Sequence, residues 1–199
     1  MRDIIIIEKP DTVTYEEIHE ILYSAHEENR LQGIWMNSAR ISADTIKERI
    51  GETGKCFLAM DGENIAGTVS VSQKSSKRWY KKGTVAILKF LGVVPAYKGK
   101  GVATLLMQQV EQYAIEHGLD VIELDTAETN KHAIEVYKKK NYHLVSYFSA
   151  PSVKHYSVVM AKWLKQCPYS KNYMKMKYHM RKFYIRLRFK PEKKKRFGI

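Results

Sequence analysis

The sequence predicts an α/β protein built on a mixed sheet, and three observations predict it. Strand-like runs and amphipathic helical stretches follow the order βααβββαβαββ through residues 4–164. The pair Asp61-Gly62 between two apolar runs is a hairpin signal, which demands antiparallel pairing. Further on, one strand–helix–strand crossover demands parallel pairing. The 199 residues are 44% hydrophobic, enough for a sizeable core in one domain with an appendage.

The elements follow in order. Ile4, Ile5, Ile6 and Ile7 are β-branched and read as a buried strand. Residues 14–29 read as one helix: Thr14 is the N-cap, Glu17 completes a capping box, and Ile18, Ile21, Leu22 and Ala25 form the apolar stripe. Residues 42–50 repeat the pattern, ending at Gly51 or Gly54. Residues 56–60 and 65–72 are the arms of the hairpin. Residues 73–83 are polar and basic, which predicts a loop, and residues 85–94 predict a long strand ending at Pro95. A helix then begins after Gly101 and stops at Gly118. A strand at 121–125, a helix at 131–140 with Asn141 as a left-handed cap, and a closing pair at 142–148 and 155–164 complete the body.

Several function classes are excluded early. Cys56 and Cys167 provide neither a disulfide framework nor metal-ligand spacing, so a reducing, cytoplasmic setting is expected. The apolar start is too short for a leader's core, and no stretch approaches the roughly 20 apolar residues a spanning helix needs. Net charge is +13, but of 34 Lys and Arg, 13 fall in residues 165–199 against one acid, Glu192. The body is close to neutral, so any affinity for a polyanion must reside in the tail.

The chemistry is written in residues 91–103. A strand runs into a turn containing Gly99 and Gly101, and the turn opens a helix. Such a turn aims backbone N–H groups outward, and the helix N-terminus adds partial positive charge. Lys98 and Lys100 add more. The arrangement suits a pyrophosphate and needs no metal. A Walker-type loop is excluded because Lys100 precedes Gly101, and a dinucleotide fingerprint because the third Gly is missing. Alone, the Gly-x-Gly turn is equally explained as a tight connection before a helix.

Lys98, Gly101 and Ala103 resemble the acetyl-CoA motif Q/R-x-x-G-x-G/A of the GNAT superfamily, with Lys in place of the usual Arg or Gln. Val93, Pro95 and Tyr97 resemble the family's lead-in, and Asn130, Ala133, Tyr137 and Lys138 its N-x-x-A-x-x-x-Y-x-K segment. The resemblance covers residues 1–164. It implies a mostly antiparallel central sheet flanked by helices, and acetyl-CoA as co-substrate. It also implies roles: backbone near Leu91 and Val93 would bond the pantetheine arm and polarise the thioester, and Asn130 would contact that arm. The N–H groups of Lys98, Gly99, Lys100, Gly101, Val102, Ala103 and Thr104 would hold the pyrophosphate. Tyr137 would protonate the leaving thiolate; a core aromatic is the structural alternative.

The expected reaction is acetyl transfer to a primary amine, that of a small molecule or amino sugar. Aminoacyl-tRNA or a ribosomal protein as acceptor, or a non-catalytic CoA-binding module at a membrane, are the alternatives. Relatives often carry a Glu on the strand before the turn; here Lys89 is the one charge there. Glu123, Asp125, His155 and Tyr156 are substitute bases, or water serves. The acceptor site is expected near residues 26–40, with Glu27, Glu28, Trp35 and Met36, and near the turn at 149–152.

Residues 165–199 form a basic, aromatic-rich extension with a helical stripe of Tyr169, Tyr173, Met176, Met180, Phe183 and Leu187, although residues 185–190 also alternate as a strand would. Lys171, Lys175, Lys182 and Arg186 lie off the stripe, and Lys193, Lys194, Lys195 and Arg196 form a basic run. Three readings stay open: packing on the body or a second copy, lying on an anionic membrane at the inner face, or binding RNA. The expectation is a separable localising element.

Overall fold

The computed structural model describes residues 3–34, 36–149 and 155–188. The elements are β1 (Ile5–Glu8), α1 (Tyr15–Ala25), α2 (Glu27–Leu31), α3 (Ala43–Ile50), β2 (Lys55–Asp61), β3 (Asn64–Arg78), β4 (Lys81–Val93), α4 (Val102–Glu116), β5 (Val121–Ala127), α5 (Lys131–Lys139), β6 (His143–Ser149), β7 (Tyr156–Trp163) and α6 (Lys171–Arg188). The strand order is β1-β2-β3-β4-β5-β7-β6. Strands β1 to β4 pair antiparallel, β5 joins β4 in parallel, and β6 pairs β7 antiparallel. This is the mixed, mostly antiparallel sheet that the resemblance implied. The chain divides into two compact units, Met1–Glu123 and Leu124–Ile199, with the division inside β5.

In the first unit, Glu17 N donates to Thr14 Oγ1 and Thr14 N to Glu17 Oε2, so the capping box forms as expected. The predicted helix over 14–29 is interrupted at His26, which leaves helical geometry. The apolar stripe explains the break: it ends at Ala25, and α2 buries nothing. Ile18, Leu22, Ile46, Ile50, Cys56, Leu58 and Phe90 form a core between α1, α3 and the sheet. Gly92 permits α1 to lie on β4, because a Cβ there would meet Leu22 and Ala25 at 3.0 and 3.1 Å.

The loop expected at 73–83 is instead the end of a long hairpin. Gln73 pairs with Ala86 and the ladder continues to Arg78 opposite Lys81, leaving only Trp79 and Tyr80 at the turn. Tyr80 is buried. These arms are polar because their side chains are largely solvated, and the backbone ladder supplies the strand.

The second unit carries α6. Met174, Tyr178 and Ile185 are its buried residues, and the Tyr178 ring meets Tyr147 of β6 edge-on, with centroids 6.1 Å apart. Glu128, just past β5, gathers the polar contacts. It accepts hydrogen bonds from Tyr147 Oη at 2.5 Å, Lys182 Nζ at 2.5 Å and Arg186 Nη2 at 2.8 Å. The Ala150, Pro151 and Ser152 turn and the basic run at 193–196 lie outside the described residues.

Burial alone would raise the Glu128 pKa, but the bonds from Lys182, Tyr147 and Arg186 prevail and hold it at about 2. A depressed carboxylate pKa contributes stability that is present above the ordinary value of 4.5 and lost as pH falls towards 2. Chemical denaturation across that window is expected to show α6 loosening in acid. Glu128→Gln should cost roughly 1–3 kcal/mol at neutral pH and remove the acid dependence. A variant as stable as the parent would mean that apolar packing alone holds α6.

Candidate active site

Strand β4 is laddered to β3 along its length, to Val93, and pairs in parallel with the start of β5 at Ala86 and Ile87. Opposite Val69 the β3 register shifts, so Phe90 and Leu91 face one residue, which makes a bulge. Phe90 takes φ 52, a strained value for a bulky residue, and its ring is packed into the core that holds it there. Leu91 and Val93 are half-buried. The bulge lies near the C-terminal edge of β4.

The edge leads directly into the turn. Val94 N donates to Ala66 O, a short 3-10 turn spans Pro95–Tyr97, and Tyr97 Oη donates to Asp61 Oδ2 at 3.2 Å. Gly99 and Gly101 take φ 76 and 84, in the left-handed region that favours glycine, and nothing lies within 4 Å of a Cβ built on either. The need for glycine here is conformational, and the space beyond is open. Gly101 is the N-cap of α4 and has no side chain to bond the first-turn amides. Lys98 N, Lys100 N and Thr104 N donate within the turn, to Pro95 O, Tyr97 O and Gly101 O, which leaves the N–H groups of Gly101, Val102 and Ala103 for an anion at the positive end of a 15-residue helix. Val102 is buried and Ala103 and Thr104 are partly exposed. Gly67 lets the start of α4 approach β3, since a Cβ there would meet Val102 and Leu106 at 3.3 and 3.2 Å.

Lys98 Nζ is ion-paired with Glu28 Oε2 at 3.0 Å, and Lys100 lies over the Tyr97 ring. His26 is nearby in this electrostatic sense: burial, then the charges of Lys98 and Arg30, push its pKa down to about 4. Such an imidazole is neutral at physiological pH, and sequence reasoning assigned it no such character. Trp35, expected near the acceptor, lies outside the described residues.

The second unit holds the remaining candidates. Asn130 is buried and caps α5, its Oδ1 accepting from Ala133 N at 3.2 Å. Tyr137 lies on α5 with its ring 6.0 Å from that of Tyr142. Burial and, second, the Asp125 carboxylate push its pKa up to about 12. Of the substitute bases, Glu123 in the first unit is buried, with Ser76 Oγ at 3.5 Å and Arg78 Nε at 3.6 Å. It neutralises β3's polar end and is poorly placed to exchange protons with solvent. Asp125 is exposed, His155 is half-buried, and Tyr156 is stacked on Tyr147. Lys89 donates to Arg49 O. No group of three or more His, Cys, Asp and Glu suited to a metal occurs among the described residues.

Gly101→Val should leave the fold intact, because the position is open, while forcing a β-branched residue into left-handed backbone and closing the space before the amides. Acetyl-CoA affinity is expected to fall tenfold or more, on the order of 1.4 kcal/mol. Calorimetry on the folded variant checks this; unchanged affinity would refute the cradle.

Known proteins provide an independent reading. The sequence profile of the acetyltransferase (GNAT) family matches residues 15–142. The chain is 31% identical over 87 residues to N-alpha-acetyltransferase 30 of Xenopus laevis, a match covering 44% of this chain and 31% of that protein. Its fold is similar to a GNAT-family acetyltransferase of Staphylococcus aureus (TM-score 0.64, 21% identity, 82% of this chain and 100% of that one). It is also similar to an acetyltransferase of Salmonella typhimurium solved with acetyl-CoA (TM-score 0.61, 15% identity, 84% of this chain and 98% of that one). With a profile match over most of the chain and the same fold throughout its body, the protein belongs to the GNAT acetyltransferase family.

Proposed function

We propose that this N-acetyltransferase transfers the acetyl group directly from acetyl-CoA to a primary amine, with the acyl donor laid along β4. The observation that carries this reading is the glycine turn after β4, where left-handed Gly99 and Gly101 lead into the uncapped start of α4. Backbone near Leu91 and Val93 bonds the pantetheine arm and polarises the thioester carbonyl. Within the Lys98–Thr104 turn, the N–H groups of Gly101, Val102 and Ala103, which the turn itself does not use, hold the pyrophosphate. The amine nitrogen attacks the carbonyl carbon, the C–S bond breaks, and the amine's proton leaves to water or a nearby base. Preorganised donors at the developing oxyanion provide the main stabilisation.

Tyr137 serves the leaving thiolate. A phenol held near 12 stays protonated at every working pH, so the donor is always ready. The same elevation makes complete proton transfer less favourable, so its effect is strongest as a hydrogen bond to the sulfur as charge develops. Asn130, already fixed as the α5 cap, offers its remaining amide capacity to the cofactor arm.

For the acceptor, the curated relatives favour an amino-terminal peptide amine over the small amine or amino sugar expected from sequence, since they are N-alpha-acetyltransferases. The chain spans about a third or less of their length, so this rests on the shared segment alone. Free-CoA release from a panel of short peptides, amino sugars and polyamines decides the class. Turnover confined to amino sugars would reject the peptide reading.

Tyr137→Phe is expected to lower kcat by roughly 10- to 100-fold while acetyl-CoA affinity stays within about twofold. The parent's kcat should show no alkaline limb from this residue below about pH 11. Equal kcat in the Phe variant would return Tyr137 to a packing role.

A further inference from the structure

Helix α6 has two apolar faces, and the fold uses one. Met174, Tyr178 and Ile185 are buried at 3, 6 and 4% exposure. On the other side, Met176, Met180, Phe183 and Leu187 recur at spacings of four, three and four, and are 48, 61, 68 and 67% exposed. At 3.6 residues per turn these four share a stripe opposite the buried one. The seven cations of the helix flank that stripe on both sides: Lys171, Lys175, Lys182 and Arg186 along one border, Lys177, Arg181 and Arg188 along the other. The helix contains no Asp or Glu. It is not apolar enough to cross a bilayer.

We infer that the outer face of α6 lies in the plane of an anionic lipid surface, with Met180, Phe183 and Leu187 among the headgroups and the bordering cations on lipid phosphates. Charge complementarity selects this occupant. A second copy docked through the same stripe would set cations against cations whether the helices ran parallel or antiparallel, and no acid on either would offset them. Nucleic acid would meet the charge but not the Met and Leu side chains, which offer no ring for a base. A basic amphipathic helix with bulky apolar residues between cationic borders suits an interface that is anionic outside and apolar a few ångströms deeper. The inner face stays on β6, held by Glu128, so α6 is a platform of the folded unit and not the separable element its composition suggested.

The test uses the full chain with vesicles of phosphatidylcholine alone and of phosphatidylcholine with phosphatidylglycerol. Binding is expected to the anionic vesicles and to weaken with added salt. The double variant Phe183→Ser/Leu187→Ser keeps every charge and touches only exposed residues, so melting and acetyl-CoA binding should stay as in the parent. Its partitioning should drop on the order of tenfold or more. Lys175→Gln/Arg181→Gln, which spares the Glu128 contacts, should reduce binding to a similar degree. The inference is overturned if the parent ignores anionic vesicles, or if the serine variant partitions like the parent, which would leave mere electrostatic adhesion. It is likewise overturned if that variant instead dissolves a solution dimer, or if the parent binds RNA and not vesicles.

Discussion

The candidate site depends on the backbone of β4 at Phe90, which takes φ 52. There the ladder with β3 slips, and Phe90 and Leu91 stand opposite the single residue Val69. The core secures this conformation. The bulge at Phe90 costs backbone strain, and the Phe90 ring, packed among Ile18, Leu22 and Leu58, holds it in place. Gly92 then brings α1 against the same stretch.

The candidate cradle follows from that strand in chain order. The strand ends, Tyr97 pins the turn to Asp61, and two left-handed glycines direct the chain into α4. The pairing of Lys98 with Glu28 shifts the electrostatic weight from side chains to the backbone. A half-exposed ion pair contributes little by itself, whereas several amides at one helix start act together on an anion. This agrees with a body that is close to neutral.

The second unit solves a different problem, the attachment of a strongly basic helix. Glu128 takes two cations and a phenol, so its burial is compensated by three donors, and Tyr147 and Tyr178 surround them with apolar surface. Removing the carboxylate would leave like charges adjacent, which is why a single acid matters so much on this side of the molecule.

The sequence by itself determined the local signals. The Thr14–Glu17 capping box, the left-handed Asn141 and the strand–turn–helix over 91–103 were legible because each is set by hydrogen bonds or φ restrictions within a few residues. Only tertiary structure decided the rest. The polar arms at 73–83 are strands because a partner ladder exists, and no side-chain pattern encodes that ladder. The apolar stripe of α6 that periodicity selects is the exposed one, since β6 offers its surface to Met174, Tyr178 and Ile185 instead. Glu128 and Arg186 are 58 residues apart, and nothing near either indicates the other. Their pairing arises from packing between distant segments, which periodicity and spacing along one chain do not contain.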